Sequence, residues 1–542
     1  MNQPAHVALG LDFGTESVRA LLADLNGNEL ASAVVPYEHG QITETLPGTG
    51  EKLPADFAFQ HPSDWIEASA QAVRDAVAAA GLTGNEIIGI GVDFTSCTML
   101  PALSDGTPLC LVPQWAAEKY AWPKLWKHHG AKTQTEKINE LARARNEPWL
   151  ARYGGIIGLE WFFPKMLETL EEAPAVYDAT EVWLEAGDWY VWQLVDSPAD
   201  KLPRSTCQAG YKGMWHSNDG FPSREFFADL NPKLADVVAE KLPGQFLAPG
   251  EAAGTLCASI AEKFGLPAGI PVSAATIDAH AGVPGAGAAG AGTLVMVMGT
   301  SSCHMLNADA EQNVPGVAGI VEGGILPGFF GYETGQAAVG DAFDWLRRTT
   351  GHDNFDQLTA QAATLPPGAD GVLCMDWFNG CRTPLMDGGL RGAFVGLTMN
   401  HGAGHMYRAL MEGSAFGVRW IVDLLRENGV PVTGIVATGG LPHHNPLLVQ
   451  IYADVLGLPI TVHPSKQGPA LGAAILGVLA ADTDRKHFAT TADAIAAMAG
   501  PRENDPSRAA KIVEPEADAQ AAYENIYQRY RKLADVLVAE NL

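Results

Sequence analysis

Two stretches of this 542-residue chain read alike, although 285 residues separate Thr15 in the first from Thr300 in the second. The first, LGLDFGTESVRALLADLNG, starts at Leu9, and the second, GTLVMVMGTSSCHML, starts at Gly292. Each is an apolar strand, a Gly-Thr turn and a second strand. In the first, residues 7–11 are apolar, residues 12–17 have turn chemistry and residues 18–24 are largely apolar again, with Asn26-Gly27 as a hairpin signal after them. A repeat at about half the chain length predicts a duplicated architecture of two domains sharing one fold. The length agrees, since 542 residues exceed what one hydrophobic core usually organises.

Between the copies, helix-like patches at residues 65–80 and 259–265 alternate with strands such as IIGIGVDF at residues 87–94, which predicts an α/β fold. The second half repeats the alternation. Residues 406–428 have helical periodicity, residues 434–440 form a strand ending in glycines, and residues 445–456 are helical. The apolar run at Ala470 is too short for a membrane span and reads as a buried helix, and residues 514–542 read as a polar, amphipathic surface helix. Residues 281–299 lack charge, but their first part, AGVPGAGAAGAG, is too small and broken for a lipid-facing helix. It reads as a hinge leading into the strand TLVMVMG. Eight of the thirteen tryptophans fall between Trp115 and Trp192, a density that usually marks core packing and that also suits the apolar face of a polyol.

The net charge of −27 argues against a nucleic-acid partner. It does not exclude a nucleotide, which backbone N–H groups, helix N-termini and a cation can hold. The seven cysteines include no C-x-x-C pair and are odd in number, so reduced thiols and a cytoplasmic location are expected, with no membrane partner. The N-terminus lacks a basic leader pattern.

Asp12-Phe13-Gly14-Thr15-Glu16-Ser17 sets a carboxylate at a strand end, then a glycine, then two hydroxyls. Phosphate and Mg²⁺ suit this mixture, because small residues expose N–H groups and Asp12 can hold a cation. An ordinary hairpin is the plain alternative. Gly299-Thr300 at the matching place in the second half weighs against it. Neither adjacent histidine pair, His128-His129 or His443-His444, has metal-site spacing.

These blocks, with DFTSCTMLP at Asp93, EWFFPK at Glu160, RSTCQAGYK at Arg204, TIDAH at Thr276, GYETGQAAVGD at Gly331 and TGGLPHHNPLLVQIYADVLG at Thr438, resemble the FGGY carbohydrate kinases in order along nearly the whole chain. The resemblance implies two actin/hexokinase-like (ribonuclease H-like) domains, residues 1–283 and 284–542, around a cleft. It implies ATP and Mg²⁺ as cofactors and a ketopentose as partner, L-ribulose foremost, phosphorylated on its terminal hydroxyl; a homodimer is compatible with it. Asp278 takes the family's general base position and Ser96, Lys212 and Glu333 its sugar contacts. Ser96 departs from a common alanine, which leaves its hydroxyl or its backbone as the contact. Asp12, Gly14, Thr15 and Ser17, with Gly299 and Thr300, correspond to the phosphate turns, and Gly439, Gly440 and Asn445 to the adenosine motif. Asp12 and Asp278 are the expected metal positions. The rivals are another FGGY kinase, acting on D-ribulose, xylulose, ribitol or glycerol, and an actin-like ATPase that transfers nothing to a sugar.

Overall fold

The computed structural model describes residues 6–502, 505 and 508–540; residues 1–5, part of the N-terminal stretch read above, and residues 541–542 of the tail lie outside them. Two mixed sheets follow one plan. In the first, the order is Glu29–Pro36, Ser17–Asp24, Val7–Phe13, Ile87–Phe94, Pro271–Ser273 and Ala252–Thr255, with Thr276–Ile277 also paired to Ile87–Phe94. In the second, Gly319–Glu322 lies outside Phe330–Gln336, Ser302–Ala308, Thr293–Met298, Gly434–Thr438, Ile460–Val462 and Lys511–Val513. Both begin with an antiparallel meander, continue with parallel strands and end in an antiparallel edge. The repeat seen in the sequence is therefore a repeat of topology. The Asn26-Gly27 signal sits where expected, with Gly27 at φ 72° in the turn between the second and third strands.

Phe13 and Phe94 leave the first sheet on one face, stacked at 4.7 Å under the helices Pro62–Ala80 and Ala186–Val195. The opposite face has glycines at Gly10, Gly89 and Gly91. The helix Gly468–Ala481 from the second half lies directly on them: a Cβ at Gly10 would stand 2.0 Å from the Ala470 carbonyl oxygen, and one at Gly91 would stand 1.7 Å from that of Ala473. A third apolar cluster thus mixes both halves, with Ala8, Leu21 and Ala23 against Ala470, Leu471, Ile475 and Met498.

Only part of the stretch 281–292, expected as a hinge, is loop. Residues up to Gly285 belong to the helix Asp278–Gly285, and only the remainder is loop before the strand Thr293–Met298. The small residues serve close packing: a Cβ at Gly285 would come within 1.9 Å of the Gly468 carbonyl oxygen, and one at Gly472 within 1.8 Å of that of Ala281. The tail helix Ala517–Ala539 also departs from a purely surface element. It buries Tyr523, Tyr527 and Tyr530, whose hydroxyls bond Glu412 (2.9 Å), Asp423 (2.9 Å) and Asp376 (2.7 Å). Among the described residues no helix is long and apolar enough to cross a membrane.

Candidate active site

The first turn is tight because the Gly14 N–H donates to the Ser17 carbonyl at 3.0 Å. Three side chains brace it from outside: the Tyr37 hydroxyl donates to the Gly14 carbonyl (3.1 Å), Gln60 Nε2 to the Thr15 carbonyl (2.8 Å) and Trp126 Nε1 to Thr15 Oγ1 (3.0 Å). Among the described residues none of these bonds uses the N–H of Thr15 or Glu16, so both donors remain for a ligand. Asp12, register partner of Arg19 on the next strand, is ion-paired with it at 2.9 Å, and its side chain is 13% exposed. Burial raises its pKa although Arg19 opposes the shift.

The second turn is exposed at Gly299 and Thr300. Its carbonyls accept from the start of the helix Gly340–Thr349: Gly340 N–H to Gly299 (3.1 Å), and Val339 and Asp341 N–H to Thr300 (3.0 and 3.2 Å). That leaves the Thr300 N–H without a partner among the described residues.

Asp278 opens the helix Asp278–Gly285 directly after a strand paired to Ile87–Phe94. Its Oδ1 accepts the Ala279 N–H at 2.6 Å, and the other oxygen has no partner among the described residues. Burial, with the charges of Asp12 and Glu333 adding to it, pushes this carboxyl up to about 7 against the pull of that N–H. The weak base that a free aspartate would be thus becomes one matched to neutral pH.

Lys212 ends the helix Thr206–Lys212, and Glu333 lies on the strand Phe330–Gln336 of the other half. They meet across the cleft at 2.8 Å, with the Lys212 ammonium 5.4 Å above the Trp161 ring. Arg382 joins Glu333 at the same oxygen, and His280 Nε2 lies 3.6 Å from the other. Burial alone would raise the Glu333 carboxyl; Lys212, Arg382 and His280 outweigh it and hold it at about 2. A carboxylate fixed as an anion beside two cations offers acceptors and donors together, which polyol recognition requires.

The residue-by-residue match covers nearly all of the chain. Residues 7–285 match the FGGY family of carbohydrate kinases, N-terminal domain, and residues 294–481 match its C-terminal domain. The chain belongs to the FGGY family of carbohydrate kinases. It is a sugar kinase. Among its relatives, a ribulokinase of Geobacillus thermodenitrificans is 43% identical over 539 residues, covering 97% of this chain and 94% of the relative. Another, from Mycolicibacterium smegmatis, is 46% identical over 491 residues, covering 87% and 85%. Solved structures with the same actin/hexokinase-like fold include a ligand-bound xylulose kinase from Lactobacillus acidophilus (TM-score 0.81, 20% identity, covering 98% of this chain and 99% of that one). A xylulose kinase from Rhodospirillum rubrum matches at TM-score 0.79 and 22% identity over 99% and 100%.

In this FGGY kinase chain, Asp12, Asp278, Lys212 and Glu333 fall into one electrostatic neighbourhood, as the charges acting on Asp278 and Glu333 show. Ser96 is half-buried in the loop after Ile87–Phe94; its hydroxyl makes no hydrogen bond among the described residues. The next residue, Cys97, is left-handed at φ 58°, an unusual conformation for a side-chain-bearing residue, and Lys165 Nζ fastens its carbonyl at 2.6 Å. Ser17 is half-buried at the end of the first turn. Gly439 sits at φ 92° with its Cα turned to the Met298 backbone, where a Cβ would meet Met298 O at 2.5 Å. Gly440 is exposed with open space where a Cβ would stand.

Asn445, expected at the adenosine, has its side-chain donors engaged inside the fold. Its Oδ1 caps the helix Pro446–Leu456 at Leu448 N (3.1 Å), and its Nδ2 donates to the Tyr407 hydroxyl (3.1 Å) and the Met411 sulfur (3.6 Å). A buried amide so engaged has no free donor for a base or ribose. Three site residues were not singled out in the sequence: Arg382, His280 and Asp93. Asp93-Phe94 repeats Asp12-Phe13, a signal that was present, whereas nothing local distinguishes Arg382. His39, His61 and Asp64 form the one three-residue cluster of metal-ligand type found among the described residues. His39 Nδ1 pairs with Asp64 at 2.8 Å and His61 Nδ1 caps Ser63, while the two rings stack face to face at 4.2 Å, so their in-plane lone pairs do not converge.

Proposed function

We propose that this chain transfers the γ-phosphate of ATP to the terminal hydroxyl of L-ribulose, giving L-ribulose 5-phosphate, the kinase step of L-arabinose breakdown, in the cytoplasm. The ribulokinase relatives at 43% and 46% identity support the sugar. The observation that supports the chemistry is that the charges of both Asp12, from the first turn, and Glu333, paired with Lys212, act on the buried Asp278 carboxyl.

In this reading Lys212, Glu333 and the Ser96 loop bind and orient the sugar hydroxyls, and Arg382 keeps Glu333 ionised. Asp278 accepts the proton of the attacking hydroxyl. Phosphoryl transfer has a loose transition state, so this proton leaves late, and a carboxylate near pKa 7 both accepts and holds it. The N–H groups of Thr15, Glu16 and Thr300 hold phosphate oxygens from the two halves, and the adenosine lies against Gly439 and Gly440. Hard oxygens suit Mg²⁺, and Asp12 and Asp278 supply them, the latter with one oxygen unengaged. Mg²⁺ held by these carboxylates would supply positive charge to the transferring phosphoryl group. Lys212 and Glu333 already join the two halves, and closure around the sugar excludes water and limits ATP hydrolysis.

A coupled ADP-release assay over ketopentoses and polyols tests the reading. L-ribulose is expected to give the highest kcat/KM. A clear preference for xylulose, ribitol or glycerol overturns the substrate, and sugar-independent ADP release overturns the transfer.

A further inference from the structure

Asp93 stands one residue before the end of Ile87–Phe94 and is the register partner of Asp12 on the parallel strand beside it. Residues paired in register on neighbouring parallel strands project from the same face. Both strands here read Gly-x-Asp, as Gly10-Leu11-Asp12 and Gly91-Val92-Asp93. The glycines lie under the helix Gly468–Ala481. That helix passes over Gly89 at Gly477 and over Gly91 at Ala473, so its first turn comes about level with Asp93. The aspartates therefore lie level with the N-terminal end of the covering helix.

Asp93 is 0% exposed, and among the described residues neither of its carboxyl oxygens receives a donor other than a proton shared with the Asp12 carboxyl. It faces the Asp12 carboxyl and lies within electrostatic reach of Asp278. Among the described residues, the one cation paired with Asp12, Asp93 or Asp278 is Arg19, which is bonded to Asp12. A fold does not ordinarily keep a buried carboxyl facing other carboxyls with no other donor, because the desolvation is uncompensated. It becomes favourable when a ligand of the opposite charge completes the site. A divalent cation is the hard, oxygen-seeking partner of such carboxyls; the oxygens of Asp12, Asp93 and Asp278 do not close into one tight ligand cluster, so Asp93 acts from behind Asp12 rather than as one of three converging ligands.

We propose that Asp93 is a third carboxylate of the divalent-cation site, behind Asp12, and that it positions the metal that accompanies the nucleotide. The proposal rests on the kinase reading above, and Asp93 acts on the cation rather than on the sugar.

The test uses Mn²⁺ in place of Mg²⁺ with the full-length enzyme and ADP, free Mn²⁺ being followed by its electron paramagnetic resonance signal. Asp93→Asn is expected to weaken Mn²⁺ binding about 10–100-fold, the usual loss when a supporting partner of a metal site is removed. L-ribulose binding without nucleotide, measured by calorimetry, is expected to stay within about twofold, and the melting temperature of the metal-free protein to hold or rise as one of the facing carboxyls disappears. Asp93→Ser serves as a second variant with the same expected loss should the amide disturb folding. Unchanged Mn²⁺ affinity in a folded variant beside a normally binding wild type overturns the role of Asp93 alone. Absence of Mn²⁺ binding by the wild type with ADP removes the kinase reading and Asp93 with it.

Discussion

Replacing Gly91 by alanine tests whether the helix of one half rests on the bare backbone of the other. A Cβ there would stand 1.7 Å from the Ala473 carbonyl oxygen, 2.5 Å from its carbon and 2.9 Å from the Gly477 nitrogen, where ordinary contact is 3.4–4 Å. All three atoms are backbone, so no rotamer change relieves the clash. The helix Gly468–Ala481 must lift or slide by about 1.5–2 Å from a sheet that it meets through Ala470, Ala473 and Gly477, a disturbance at or above the upper end of the ~1–3 kcal/mol typical of overpacking. At about 2 °C per kcal/mol for a unit of this size, ~3 kcal/mol corresponds to a melting temperature about 6 °C lower. Calorimetry or tryptophan fluorescence on heating reads it, with Gly388→Ala as control, since a Cβ there meets nothing within 4 Å. The same helix begins beside Thr438, just before the glycines of the proposed adenosine site, so KM for ATP should rise as well. A Gly91→Ala enzyme melting within 1 °C of the wild type, by the same ~2 °C scale, would refute the direct helix-on-sheet contact.

Two further outcomes are expected. Asp278→Asn should lower kcat by about 10²–10⁴ with sugar affinity nearly intact, and in the wild type kcat/KM should fall about tenfold per pH unit below the Asp278 value of about 7, because the protonated carboxyl cannot accept the sugar proton; near-normal turnover of the variant, or a flat profile from pH 5.5 to 8, contradicts the role. Asn445→Ala should cost about 1 kcal/mol through loss of the helix cap while KM for ATP stays within about twofold; a large rise in KM at unchanged stability would restore Asn445 to the nucleotide site.

The sequence by itself determined the duplication, the α/β class and the positions of both Gly-Thr turns, because strand alternation, turn residues and hairpin signals are local properties. It also marked Asp12, Asp278, Lys212 and Glu333 through motifs in separate blocks. Tertiary structure decided what those residues meet. Glu333 became a fixed anion only when Lys212 from the other half and Arg382 closed on it, and Asp278 became a base suited to neutral pH only on burial beside Asp12 and Glu333. The Asn445 amide is engaged within the fold because Tyr407 and Met411, 38 and 34 residues earlier, arrive to take its donors. The first part of the glycine-rich stretch is helix rather than hinge for the same reason. Locally, Gly and Ala signal flexibility; against a second helix and a sheet packed at backbone distance they are the residues that fit.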